Sequence, residues 1–147
     1  MATNLRGSSC PALYTNVTLQ NNSDDNLLLS DQKDWYGSAN TPPVIPTKTS
    51  AEFKHEADPS AESSKGGVVY AVENGIKWVI AWSNMDSDKN KVYVDITKED
   101  VDWPSVEYLL ANSASATSDA TKDGFTATAT IQPDSSTPSL TANLKKN

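Results

Sequence analysis

The chain has 147 residues with a formal net charge of −7 and a pI near 4.5, which is the size of one domain able to bury most of the apolar surface its unfolded form exposes. The acidic balance argues against nucleic acid or anionic lipid as the main electrostatic partner, since either calls for clustered Lys and Arg. Cys10 is the single cysteine and His55 the single histidine, so no intrachain disulfide forms and a His/Cys metal site of ordinary spacing cannot be assembled.

Residues 1–14 contain Gly7 and Pro11 and no apolar stripe, and are expected to form a flexible N-terminal arm on a single domain spanning 1–147. No segment has the apolar core of a secretory signal or approaches the roughly 20 apolar residues of a membrane span. The expectation is a soluble, cytoplasmic protein. The sequons at Asn16 and Asn21 then read as chance occurrences in a strand and its turn.

Thr15 to Gln20 alternates Val17 and Leu19 with polar residues, Asn21 to Asp25 is a turn cluster, and Asn26 to Ser30 carries three leucines. This predicts a hairpin with a longer loop. Asp31 to Asn40 is polar around the pair Trp35-Tyr36, and Thr41 to Pro46 is an extended, proline-rich connector. Thr47 to His55 is a weak strand with Phe53, leaving His55 as a surface residue on a polar strand edge. Glu56 to Lys65 reads as a solvated loop.

Lys65 to Ile96 predicts three consecutive antiparallel strands. Gly66-Gly67 opens a β-branched run to Val72, Glu73-Asn74-Gly75 supplies a turn with the φ > 0 chemistry of Asn-Gly, and Ile76 to Trp82 returns. Ile76, Trp78, Ile80 and Trp82 share one face, which belongs in the core. Asp86 to Asn90 turns the chain into Lys91 to Ile96. Asp86, Asp88 and Asn90 have the alternate-residue oxygens of a calcium loop, but Lys91 stands where its glycine belongs and Thr97 where its bidentate glutamate belongs, so a plain turn is expected.

Asp102 caps a short helix over Ser105 to Asn112, with Pro104 in its first turn and Val106, Leu109 and Leu110 at helical spacing. Tyr108 lies nearly opposite Val106, toward the surface. Asn112 to Asp123 reads as a low-complexity linker, Gly124 to Ile131 as a strand, Pro133 to Pro138 as a turn and Ser139 to Leu144 as a last strand. Seven or eight strands with one or two short helices define a mainly β fold, a single antiparallel β-sandwich.

The series of DWYG, a proline-containing loop, GGVVYAVENGIKWVIAWSN and NKVYVDI resembles the plant jasmonate-induced protein family, and more remotely the actinoporin and fungal fruit-body lectin group. The resemblance implies an actinoporin-like sandwich and a stress-induced, non-enzymatic protein of plant defence. In the actinoporin group a serine after the apolar strand and tyrosines on the following helix hold a phosphocholine head group; the matching positions are Ser83 and Tyr108. The Val-Pro and aromatic residues expected after that serine are replaced by Asn84-Met85-Asp86-Ser87-Asp88, and only one helical tyrosine remains.

Adjacent aromatics in an extended polar segment point to opposite sides, so one ring of Trp35-Tyr36 is expected at the surface, with an apolar face for a sugar ring or a head group. Trp35, Tyr36, Ser83, Asn84 and Tyr108 are therefore the candidate ligand-binding residues. The leading expectation is lectin-like carbohydrate binding without a cofactor or catalysis. The alternatives are lipid head-group recognition without pore formation or transmembrane insertion, and a structural stress protein acting as a homo-oligomer through exposed strand edges.

Overall fold

The computed structural model describes residues 13–60, 62–85 and 88–147. Cys10, Asp86 and all but the end of the expected N-terminal arm lie outside the described residues. Ten strands occur among those described: β1 (Tyr14–Asn22), β2 (Leu27–Tyr36), β3 (Val44–Ile45), β4 (Thr49–Glu56), β5 (Ser63–Ala71), β6 (Lys77–Met85), β7 (Lys91–Thr97), β8 (Thr117–Lys122), β9 (Phe125–Ile131) and β10 (Ser139–Lys146). One helix, α1 (Trp103–Asn112), follows β7. Two sheets, in the orders β4-β1-β10-β9-β8 and β3-β2-β5-β6-β7, face each other. The chain is mainly β, as its alternation predicts.

The central three strands form as expected. β5 pairs with β6 from Ser63↔Met85 to Ala71↔Lys77, and β6 with β7 from Lys77↔Thr97 to Ser83↔Lys91, both antiparallel. Asn74 and Gly75 take φ of 58° and 76° in the connecting turn, the left-handed values that Asn-Gly accommodates at low cost. The side chains of Trp78, Ile80 and Trp82 point inward with Val68, Tyr70, Val92, Val94 and Ile96. They meet Val17, Leu19, Phe53, Phe125 and Leu140 of the other sheet, along with the buried alanines Ala127, Ala129 and Ala142, small residues against large ones. Each enclosed indole contributes about 3 kcal/mol of burial. Part of that is offset because the Nε1–H groups of Trp78 and Trp82 are sealed in the core without an acceptor.

Four expectations are corrected. β1 and β2 do not form a hairpin: β1 pairs with β4 and, in parallel, with β10, whereas β2 pairs with β3 and β5. The turn between them is an arch from one sheet to the other. Buried Asn21 holds it there, donating through Nδ2 to the carbonyls of Asp25 (2.8 Å) and Ile45 (2.9 Å), so Val17 and Leu27 enter the same core from opposite sides. Residues 117–122 of the supposed linker form β8, paired with β9; Asp123-Gly124, both at positive φ, is a hairpin signal that the Ser/Thr/Ala background concealed. The supposed loop before Lys65 already contains the start of β5. His55 is buried rather than on the surface.

α1 lies on the outer face of the second sheet, where Val106 and Leu110 pack on Ala81 beside Trp35, Tyr93 and Trp103. Asp102 caps it, accepting from the Ser105 backbone N–H, with Pro104 in the first turn, while Leu109 is half-exposed. The helix can approach because Gly67 has no side chain: a Cβ there would come within 2.6 Å of Trp103 Cζ3. Trp103 thus lies against the strand, donates from Nε1 to Asp31 (3.0 Å), and meets Trp35 edge-on with centroids 5.7 Å apart.

Candidate functional site

Register places several candidate residues at one end of the sandwich. Lys65, Ser83 and Lys91 are direct cross-strand partners on β5, β6 and β7, so their side chains form one row on the outer face, the face that carries α1. Lys65 is largely buried and pairs with Glu107 of α1 (2.8 Å), with its ammonium 5.4 Å from the Trp35 ring centroid. Lys91 donates to the Ala111 carbonyl at the end of α1 (3.0 Å) and lies 3.4 Å from Asp88. Between the two lysines stands the Ser83 hydroxyl, which makes no hydrogen bond to any described residue. The row presents carboxylate, ammonium, hydroxyl, ammonium and carboxylate in succession.

Tyr36 pairs in register with Lys65 and is 39% exposed, while Trp35, at a β-bulge between Asp34 and Tyr36, packs under α1. Trp35, Tyr36 and Ser83 therefore gather around Lys65. Asn84 and Tyr108 do not join them. Asn84 follows Ser83 and turns to the opposite face, where its amide donates to the Tyr14 and Ser136 carbonyls, each at 3.2 Å. Tyr108 is 66% exposed on the free side of α1. The lysines were missed in the sequence; Lys65 ended an apparent loop, and only strand register shows that it flanks Ser83.

A second feature of this end is buried. His55 Nδ1 lies 2.7 Å from Ser64 Oγ and Nε2 lies 2.9 Å from Asp34 Oδ1, supplying the partners that seemed missing in the sequence. Burial is the main influence on His55 and lowers its pKa, against an upward pull from Asp34. In the neutral ring Nε2–H donates to Asp34, while the Ser64 hydroxyl has two acceptors in reach, Nδ1 and the His55 backbone carbonyl (3.0 Å), and lies 2.9 Å from Thr15 Oγ1. Serine, histidine and aspartate here have the composition of a catalytic triad, but Ser64 has no exposed surface and offers no attack position for a substrate. The chain of bonds ties β1, β2, β4 and β5 together.

A cleft of about 560 Å³ opens between the ends of the two sheets. Asn84, Met85, Asp88, Lys89 and Asn90 line one side and residues 133–136 the other. No group of three or more His, Cys, Asp or Glu residues among those described could hold a metal ion, and Asn90 of the calcium-like spacing donates from its amide nitrogen to the carbonyls of Gln132 and Ser135. No helix among the described residues is long and apolar enough to cross a membrane.

A family model described as Nakanori-like protein matches residues 4–147. A jasmonate-induced protein homolog from Atriplex canescens is 29% identical over 109 residues, which cover 64% of this chain. The match spans 58% of that relative's length. Among solved structures, the lipid binding protein Nakanori is similar with a TM-score of 0.84 and 16% identity, over 93% of this chain and 73% of that one. The lectin of Xerocomus chrysenteron is similar with a TM-score of 0.62 and 10% identity, over 90% of this chain and all of that one. At these identities the two structures establish a shared fold.

Proposed function

We propose, for a chain that belongs to the Nakanori-like protein family, a non-catalytic recognition module that binds the zwitterionic head group of a membrane lipid at the Lys65, Ser83, Lys91 row. The free Ser83 hydroxyl between two ammonium groups carries this reading. A phosphodiester accepts from Ser83 and the two lysines, while the head-group cation is balanced by Glu107 and the Trp35 ring, a face already turned toward a cation. The net charge of −7 favours a zwitterionic surface over an anionic one. A shared fold with a lipid-binding protein of TM-score 0.84 supports the choice of ligand class.

Co-sedimentation with phosphatidylcholine and sphingomyelin vesicles tests it. The protein is expected to pellet with at least one of them, and Ser83→Ala to weaken pelleting about tenfold, the worth of one charge-assisted hydrogen bond. Equal pelleting of Ser83→Ala and wild type refutes the site. Carbohydrate binding is the second reading. It rests on the exposed Tyr36 ring beside a polar hollow of about 240 Å³ lined by Gly37, Ser38, Ala57, Asp58 and Pro59, and on a fold shared with a fungal lectin. A glycan array that is positive for wild type and negative for Tyr36→Ala selects this reading over the first.

A further inference from the structure

The cleft between the sheet ends has a chemistry of its own and shares only Asp88, the partner of Lys91, with the outer row. Asn84 and Asn90 are 2% and 3% exposed and both line it. Their orientation is fixed by what their amides touch. Asn84 Nδ2 faces the carbonyls of Tyr14 and Ser136, and Asn90 Nδ2 faces those of Gln132 and Ser135 at 2.8 and 2.7 Å. Carbonyl oxygens only accept, so the nitrogen of each carboxamide must point at them and the Oδ1 must point away. Neither Oδ1 accepts a hydrogen bond from a described residue, and neither is sealed from solvent. Two rigidly held acceptors on cleft-lining residues are thus without a donor among the described residues.

The rim adds acceptors of the same kind. Asp88 and Asp134 stand on opposite sides, and Lys89 reaches from the first side to pair with Asp134. An ammonium group of the protein therefore already occupies the cleft mouth. That ion pair is exposed on both partners, so it is weak and opens readily to a competing cation. The volume, about 560 Å³, lies in the range of small-molecule sites.

We infer that this cleft is a second binding site, for a primary ammonium group: a cation with N–H donors for the Asn84 and Asn90 oxygens and a charge for Asp134 and Asp88. A quaternary ammonium carries the charge but has no N–H, and a polyol has donors but no charge; neither meets both demands. The group can come from a free alkylamine or from an ethanolamine lipid head group.

The test follows the side-chain amide signals of Asn84 and Asn90 by NMR in the full chain while ethanolamine, choline or glycerol is added at equal concentration. Ethanolamine is expected to shift both signals in a saturable way, and choline and glycerol to leave them in place. Lys89→Met removes the internal competitor and is expected to tighten ethanolamine binding about two- to fivefold. No saturable shift with ethanolamine, equal shifts with choline or glycerol, or an unchanged affinity in Lys89→Met overturns the proposal. Vesicles containing phosphatidylethanolamine distinguish the sources: sedimentation that Lys89→Met enhances assigns the lipid, and NMR shifts together with sedimentation that Lys89→Met leaves unchanged assign the free amine. Failure of the outer row alters none of these outcomes.

Discussion

Replacing Gly67 by alanine adds one carbon where the helix layer meets the sheet. The new Cβ would lie 2.6 Å from Trp103 Cζ3, 3.0 Å from its Cη2 and 3.2 Å from the Ile80 carbonyl oxygen. The strand cannot retreat, because Gly67 is paired on both sides, with Lys33 and Ala81. Trp103 must move instead. Overpacking of this kind costs about 1–3 kcal/mol. Displacing the ring also loosens its edge contact with Trp35, worth about 0.5–1.5 kcal/mol, and its exposed hydrogen bond to Asp31, worth about 0.5 kcal/mol. Alanine returns about 0.5–1 kcal/mol through lower unfolded-state entropy. The net expectation is a loss of about 2–3 kcal/mol.

Urea unfolding read by tryptophan fluorescence and near-ultraviolet circular dichroism measures the change, expected as a midpoint lowered by about 1–2 M at an ordinary slope for this size. A double-mutant cycle isolates the cause. In a Trp103→Leu background the offending ring atoms are gone, so Gly67→Ala is expected to cost less than about 0.5 kcal/mol. A Gly67→Ala protein as stable as wild type, or an undiminished cost in the Trp103→Leu background, refutes the account of how α1 is seated.

Asn21→Ala removes both amide bonds that hold the β1–β2 arch and the acceptor of the Ser23 N–H, and takes the side-chain donor from the Ile45 carbonyl, so chemical denaturation should show a loss of about 2–3 kcal/mol. His55 is held neutral by burial, with a folded-state pKa below its ordinary value; its contribution is complete above the unfolded value near 6.5 and is lost as pH falls through the folded one. Urea midpoints measured between neutral pH and the carboxylate range should therefore decline less steeply in His55→Gln than in wild type. Burial pushes the Tyr70 and Tyr93 phenols up to about 12, so ultraviolet titration should find two tyrosines that ionise only near that pH. Their share of stability is present below the unfolded value near 10 and disappears as pH rises toward 12.

The frame was legible in the sequence where local chemistry and burial agree. Alternation placed Trp78 and Trp82 in the core, and Asn74-Gly75 marked their turn, because side-chain period and turn propensity act over a few residues. Pairing between distant strands leaves no such mark. Nothing local distinguishes a hairpin at Asn21 to Asp25 from an arch between sheets; the outcome depends on a carboxamide reaching the Ile45 carbonyl, 24 residues away. The same blindness made His55 look like a surface residue, since its partners Asp34 and Ser64 arrive from β2 and β5.

The candidate site shows how register divides what sequence proximity joins. Ser83 and Asn84 are neighbours in the chain and looked like parts of one site. On a strand they must face opposite ways, and here each face carries different chemistry. Ser83 turns to the outer row, where two lysines and Glu107 suit a phosphate paired with a cation. Asn84 turns between the sheets, where fixed acceptors suit a donor-rich cation and exclude an anion. Two readings at one end of the sandwich are therefore separable by single substitutions on adjacent residues. Ser83→Ala tests the outer face and the Asn84 amide signal reports on the cleft, so a ligand that needs both must reach both faces of β6 at once.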